Sequence, residues 1–375
     1  MKIGMGTPLK QVLVAGGNGV TGRLIVQYLT KFKLPVQIDI AARTASHTQN
    51  LPEHVKKIDI DFQNREATSL LFHQYDIIIL SVGPFDIFKA SLHEICVSEQ
   101  KICIDINDSF EATKEIYKLK KEAESNQSMI LTGMGLAPGL TTLLLLEVLK
   151  RDNDTAKRSG VRIFFSDGIN SGKASIYAML INFISHVFIL TNGRARKTLS
   201  EKIEKDSYYT FNESQRHKSL IFYSSPEIQT LPLNIDCSEI HQLDFAFHLE
   251  GMPMKMIPFL RGLKIFRKRI ILFLCNSTYK RQRRTGSGKK TETQVIASAF
   301  GEFDNYTKCC QVFSKSSYEL TALTASLIAE MAIKGEIVKT SGVYSIESDV
   351  ISKQILKARF ERQGIRIIPK IENQK

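Results

Sequence analysis

The stretch VLVAGGNGVTGRLIVQYL, residues 12 to 29, constrains the fold of this chain more than any other. An apolar run ends in four glycines within seven residues, and an apolar segment of helical period follows at once. The glycines satisfy two spacings, Gly17-x-Gly19-x-x-Gly22 and Gly16-x-x-Gly19-x-x-Gly22. Without side chains, the first of them let the chain turn tightly and let backbone N–H groups approach a pyrophosphate, while the last allows close packing of helix on strand. A phosphate then sits at the helix N-terminus, where unpaired amides and the helix dipole both favour negative charge. Strand, glycine loop and helix in that order are the context that gives such a motif meaning.

The next hundred residues repeat the same rhythm. Short β-branched runs occur at 11–16, 36–42, 55–61, 76–82, 101–106 and 128–134. Helical patterns separate them at Thr21 to Lys31, Asn64 to Phe72, Phe88 to Glu99 and Phe110 to Ser125. Strands that read as continuous apolar runs, alternating with helices, predict a parallel, doubly wound Rossmann sheet buried on both faces. After GLAPGLTTLLLLEVLKRDN the texture changes to longer helices and amphipathic strands such as SGVRIFF and TETQVIASAFGEF. The expected organisation is therefore α/β: a dinucleotide-binding domain over 1–150, a second α+β substrate domain over 151–316, and a C-terminal segment over 317–375. Its helix, Tyr318 to Ile337, is expected to pack back on the first domain.

Composition narrows the class. The six cysteines form no CxxC pair and do not alternate with histidine at zinc spacing, so no metal site is expected. The N-terminus does not resemble a secretory signal. The apolar stretch Ile176 to Thr191, read as a helix, is too short to span a bilayer and contains Asn182, Ser185 and His186. A cytoplasmic protein is the expectation. The net charge of +13 concentrates in 254–290, where MIPFLRGLKIFRKRIILFLC reads as a basic amphipathic helix. A solvated helix face is one reading of it, and peripheral contact with an anionic membrane is the other. Nucleic acid is not an expected partner, because no recognition module accompanies the charge.

Beyond the second strand an NAD-preferring site carries an acid for the ribose hydroxyls. Here IDIAARTASH places Arg43 at that point, a guanidinium suited to a 2′-phosphate, so NADP is favoured over NAD. Asp39, in mid-strand, is expected to face the sheet interior or to cap a neighbour.

VLVAGGNGVTGRLIVQYL, AAR, IDIDFQN, SVGPF, CIDINDS and GMGLAPGLTTLLL, in that order, resemble the NADP-binding domain of the saccharopine dehydrogenase family. The resemblance implies that Gly16, Gly17, Asn18, Gly19, Val20 and Thr21 cradle the pyrophosphate, with Gly22 closing the turn. It places Arg43 by the adenosine 2′-phosphate, Asp61 by the adenine edge, and the turn Val82, Gly83, Pro84 and Phe85 along the nicotinamide ribose. Further along, GINSGKAS and the segment from Tyr318 to Ser348 resemble the family more loosely. Where relatives carry a double glycine and threonine, this chain has Gly172, Lys173 and Ala174, and the substrate domain of true saccharopine reductases has no evident counterpart.

The resemblance implies an NADP-dependent oxidoreductase that transfers hydride to or from a small molecule, hydrophobic or acidic. The alternative is a non-catalytic NADP-binding sensor or scaffold, for which a membrane surface is one place of attachment. Asp105, Asn107 and Asp108 are expected to point toward the crevice at the carboxyl end of the sheet, although Asp108 or Ser109 also fits the N-cap of the next helix. Lys173, Tyr177, Asp105 and Asp108 are the candidates for proton transfer, together with His186 and Tyr318. A homodimer completes the expected partners.

Overall fold

The first strands form where β-branched residues can be buried on both sides. In β1 (Lys10–Ala15), Val12 and Val14 join one apolar cluster and Leu13 and Ala15 join another, so successive side chains enter opposite faces of the same sheet. The computed structural model describes residues 9–150, 156–167, 176–178, 180–181, 186–198, 208–238, 240–250, 273, 275–277, 280 and 293–373.

The same two-sided burial shapes β2 (Val36–Ala42), β4 (Ile77–Leu80), β5 (Ile102–Asp105) and β6 (Met129–Leu131), whereas β3 (Lys56–Asp59) is a polar, mostly exposed edge strand. All pair in parallel, and the order across the sheet is β3, β2, β1, β4, β5, β6. Between them run α1 (Val20–Lys31), α2 (Arg65–His73), α3 (Phe85–Phe88), α4 (Ser91–Ser98), α5 (Phe110–Lys118), α6 (Lys120–Ser125) and α7 (Leu140–Leu149). Asn64 caps α2 by accepting from the Ala67 amide at 3.1 Å, and Ser109 caps α5 by accepting from the Ala112 amide at 3.1 Å. The helix expected from Phe88 begins instead at Ser91, because Lys89 is left-handed with φ 49° and breaks it from α3.

The second sheet is mixed. It contains β7 (Arg158–Phe165), β8 (Val187–Thr191) and β9 (Arg194–Thr198). After the two-stranded ribbon β10 (Tyr208–Tyr209) and β11 (Lys218–Ser219) come β12 (Ile221–Phe222), α8 (Glu227–Asn234), β13 (Gln242–Leu249), β14 (Val295–Glu302) and β15 (Tyr306–Ser314). The end of the apolar stretch Ile176 to Thr191 is therefore strand and not helix. Residues 176–178 are helical, but Val187–Thr191 pairs antiparallel with both β9 and β13, as suits a run of β-branched and aromatic residues. In the middle of this sheet, Arg162 is 2% exposed and pairs with Asp244 at 2.5 Å, with its guanidinium over the rings of Phe222 and Phe300.

The last part of the chain serves both sheets. α9 (Ser317–Ile333) lies against α1 and is buried along most of its length. β16 (Gly342–Tyr344) adds a seventh parallel strand beside β6, α10 (Lys353–Arg362) follows, and β17 (Lys370–Asn373) pairs antiparallel with β15 on the second sheet. At the start of β1, the Lys10 ammonium donates to the carbonyls of Ala332 and Ile333, placing a cation on the negative end of α9. Side chains from both sheets, α1, α7 and α9 share one apolar cluster. Burying each of its Ile, Leu or Val side chains contributes about 1.5–3 kcal/mol.

The α/β architecture expected from the sequence is the one observed. Strand order reverses between β1 and β4, and in open sheets of this kind ligands collect at the carboxyl ends of the strands on either side of that reversal.

Candidate dinucleotide and substrate site

The glycine loop leaves β1 at this reversal. Gly16 N donates to Ala41 O at 2.8 Å, Gly17 N to Val14 O at 3.2 Å, and Gly19 N to Gly16 O at 2.9 Å. Helical bonding in α1 begins with Arg23 N donating to Gly19 O at 3.1 Å. The amides of Val20, Thr21 and Gly22 thus have no backbone acceptor among the described residues, and Gly19 offers no side-chain cap. Sterics require three of the glycines: a Cβ on Gly22 would lie 2.3 Å from Gly16 O, one on Gly17 would lie 2.5 Å from the Ile40 side chain, and one on Gly16, whose φ is +83°, would lie 2.6 Å from Ser81 O.

The free amides open onto a cleft of about 1000 Å³. Gly16, Asn18, Gly19, Val20, Thr21 and Gly22 line its floor, Arg43 and Asp61 one end, and Val82, Gly83, Pro84 and Phe85 a side wall. Gly17 supports the loop from beneath. Arg43 is exposed and forms no ion pair among the described residues. Beside it, Asn18 Nδ2 donates to Thr44 Oγ1 at 3.2 Å. The nearby acid Asp59 is engaged elsewhere: the Ser46 hydroxyl and amide donate to it at 2.6 and 2.8 Å and hold its carboxyl below the usual range. Asp39 is turned into the sheet, where it accepts from Tyr75 Oη at 2.9 Å and the Lys56 amide at 3.2 Å.

The DINDS turn divides its polar residues between support and cleft. Asp105 is fully buried and does not face the crevice. Its Oδ1 accepts from the Asn107 amide at 2.8 Å, the Gly133 amide at 2.7 Å and Thr132 Oγ1 at 3.1 Å, while Oδ2 lies 2.7 Å from His93 Nε2. Asn107 is buried too, donating to Thr113 Oγ1 at 2.7 Å. Ser109, not Asp108, is the N-cap, and its hydroxyl donates to Asp86 at 2.7 Å. Asp108 is thereby left to face the cleft. The protein enclosing it on its other sides, together with the charge of Asp86, pushes its carboxyl up to about 7.

A second pocket, of about 240 Å³, adjoins the cleft. Thr21, Ile106, Asp108, Ala178 and Tyr318 line both, so Asp108 and Tyr318 stand where the two meet. Phe165, Phe247, Leu249 and Tyr223 of the second sheet region form the pocket's far wall, and the glycine-rich loop at Gly135 to Ala137 forms its near one. Asp167 also lines the pocket, but accepts from the Ser317 amide at 2.6 Å and hydroxyl at 2.7 Å, tying the start of α9 to the end of β7. Tyr177 lines the cleft, and burial, reinforced by Asp86, raises its phenol. His186 is exposed just before β8 and lines neither cavity; its carbonyl accepts from the Ser224 hydroxyl at 2.9 Å. Lys173 and nearly all of 254–290 lie outside the described residues, as does the membrane contact expected of that segment. No helix among the described residues is long and apolar enough to cross a membrane.

Residues 12–131 match the saccharopine dehydrogenase NADP binding domain. No curated protein matches the chain by sequence. Among solved structures, the apo saccharopine dehydrogenase (L-Glu forming) of Saccharomyces cerevisiae is similar over 97% of this chain and 100% of its own, with a TM-score of 0.69 and 12% identity. That likeness is one of fold. A dehydrogenase from Thermus thermophilus, solved with NAD and α-ketoglutarate, covers 93% of this chain and 94% of its own at a TM-score of 0.43 and 9% identity, too distant to argue from.

Proposed function

Starting from a chain whose residues 12–131 carry the saccharopine dehydrogenase NADP binding domain, we propose that this protein is an NADP-dependent oxidoreductase acting on a small molecule held between its two sheets. The observation that carries the reading is the convergence on a single cleft of three amides and the Arg43 guanidinium, none of them paired among the described residues, with Arg23 also in the lining. Both groups are what a dinucleotide with a 2′-phosphate requires, at its two negatively charged points. When bound, NADPH supplies the hydride.

The chain's own residues do the rest. The amides of Val20, Thr21 and Gly22 take the pyrophosphate, and the absence of an acid in the first turn of α1 leaves that charge unopposed. Arg43 takes the 2′-phosphate, and Asp61, at the same end of the cleft, stands by the adenine. The turn from Val82 to Phe85, which lines the cleft, would hold the nicotinamide ribose. Asp108, at the junction, holds a proton for the atom that gains charge. With a carboxyl near 7 it is about half protonated at neutral pH, the condition in which a group both gives and regains a proton readily.

Calorimetric titration tests the cofactor reading. NADPH should bind more tightly than NADH, and Arg43→Ala should weaken NADPH about tenfold while leaving NADH unchanged, since a hydrogen bond to a charged group is worth about 1.5–3 kcal/mol before solvent screening reduces it. Equal losses for the two nucleotides would contradict the role of Arg43. Tight binding of NADPH with no turnover across a panel of ketones, imines and enoyl thioesters would remove the enzyme from the reading and leave a dinucleotide-binding protein.

A further inference from the structure

Arg23 is a second cation in the cofactor cleft, and nothing in the protein accounts for it. It follows Gly22 near the start of α1, is half-buried, and lines the same cleft as Arg43. Neither guanidinium forms an ion pair or a hydrogen bond among the described residues. Of the acids nearby, Asp59 is held by Ser46, and Asp61 accepts from the Gln63 amide at 3.1 Å.

The faces of α1 decide which part of a dinucleotide Arg23 meets. Gly22, Ile25, Val26 and Leu29 are the buried face. Thr21 and Tyr28 mark the flank toward α9: Thr21 lines the smaller pocket together with Tyr318, and burial and the nearby Glu319 carboxylate raise the Tyr28 phenol. At about 100° per residue, Arg23 stands roughly 200° around the helix from Thr21, on the opposite flank. α9 reaches β5, two strands to one side of β1, so the flank that carries Arg23 faces β2 on the other side. Arg43 follows the end of β2. Helical side chains lean toward the N-terminus of their helix, which turns Arg23 back toward the glycine loop. That loop is tied to the residue after Arg43, because Asn18 Nδ2 donates to Thr44 Oγ1 at 3.2 Å. Arg23 and Arg43 therefore border the adenosine half of the cleft from its helix side and its strand side.

We propose that Arg23 is a second ligand of the 2′-phosphate, and so a specificity-determining residue for NADP over NAD. A phosphate monoester carries close to two negative charges at neutral pH, with its second ionisation near pH 6. Two guanidiniums match that charge, and each offers a planar fork of donors to its oxygens. The pyrophosphate is already served by the amides of Val20, Thr21 and Gly22. This inference rests on the proposed function for the place of the dinucleotide, and it adds a residue that selects between the two cofactors.

The test is calorimetric titration of NADPH, NADH and 2′,5′-ADP into the full chain, Arg23→Ala and Arg43→Ala. Arg23→Ala should weaken NADPH and 2′,5′-ADP about three- to tenfold and leave NADH within about twofold, which also shows that the variant is folded. The ratio of NADPH to NADH affinity should rise between about pH 5 and pH 7 as the 2′-phosphate takes its second charge, and Arg23→Ala should flatten that rise. Equal losses for NADPH and NADH would place Arg23 on the pyrophosphate and overturn the proposal. Unchanged NADPH affinity, or a rise with pH that Arg23→Ala leaves intact, would overturn it as well. A selective loss of NADPH in Arg43→Ala with none in Arg23→Ala removes this proposal and leaves the proposed function standing. Wild-type protein that binds neither NADPH nor 2′,5′-ADP removes the proposed function, and this inference with it.

Discussion

Replacing Asp105 tests whether its carboxylate is a structural tie. Its carboxylate joins three segments: His93 on α4, the DINDS turn through the Asn107 amide, and the glycine-rich loop through Gly133 and Thr132. Asp105→Ala would strand the two amides and the histidine N–H in a site closed to water; Thr132 can rotate its hydroxyl away. At about 1–3 kcal/mol for each stranded donor, reduced by partial relaxation, the loss should be about 4 kcal/mol. For a chain of this size that lowers Tm by roughly 8 °C, taking the low end of the response of large domains. Asp105→Asn keeps an acceptor for the amides but presents an N–H to the ring of His93. The ring can accept only by moving its proton to Nδ1, a buried atom with no partner among the described residues, so the asparagine variant should lose about 2 kcal/mol. Scanning fluorimetry with urea titration measures both. An Asp105→Ala protein within about 1 kcal/mol of wild type would refute the assignment of Asp105 as the tie between these segments.

Asp108 gives a dependence on pH with a definite sign. Its folded carboxyl is raised from 3.8 to about 7, so the fold disfavours the ionised form and stability falls as pH rises through that interval. Asp108→Asn should therefore match wild type in Tm near pH 4 and exceed it above pH 7; a variant less stable at high pH would contradict this. In steady-state assays the wild-type reduction rate should decline above pH 7, and Asp108→Asn should be slower by about 10²-fold or more and lack that step. Gly22→Ala places a Cβ 2.3 Å from Gly16 O, so NADPH titration should show at least a tenfold loss of affinity, and wild-type affinity would show that the loop can yield. Lys10→Met removes the cation at the C-terminal end of α9 and should cost about 0.5–1 kcal/mol in urea titration, less at high salt; a loss that ignores salt would deny the charge its part.

The nucleotide-binding half of the fold was legible because its signals are local. VLVA in β1 and IIIL in β4 are buried on both faces and read as unbroken apolar runs, and the glycine spacing fixes the turn between β1 and α1. Helix interruptions were less visible: nothing in FDIFKASLHEI marks Lys89 as the break, and Leu119 joins α5 to α6 without a proline or glycine. Asp105 and Asp108 stand three residues apart in one turn, yet one is enclosed by donors and the other faces the cleft. Which is which depends on His93 and Gly133, both distant in sequence. The smaller pocket carried no signal, because it is assembled from β7, β13 and α9. The pairing of β17 with β15 was equally hidden, since Lys370–Asn373 is polar and exposed and its partner lies on the other sheet.

Amide hydrogen exchange at residues 18–22, with and without saturating NADPH, tests the central claim most directly. Asn18 and Gly19 belong to the loop, and the amides of Val20, Thr21 and Gly22 have no acceptor among the described residues. If the pyrophosphate sits on the N-terminus of α1, these three should exchange quickly in the free protein and be protected at least tenfold by NADPH, with a smaller effect from NADH at equal concentration. NADPH that binds yet leaves their exchange unchanged would place the dinucleotide elsewhere and contradict the account.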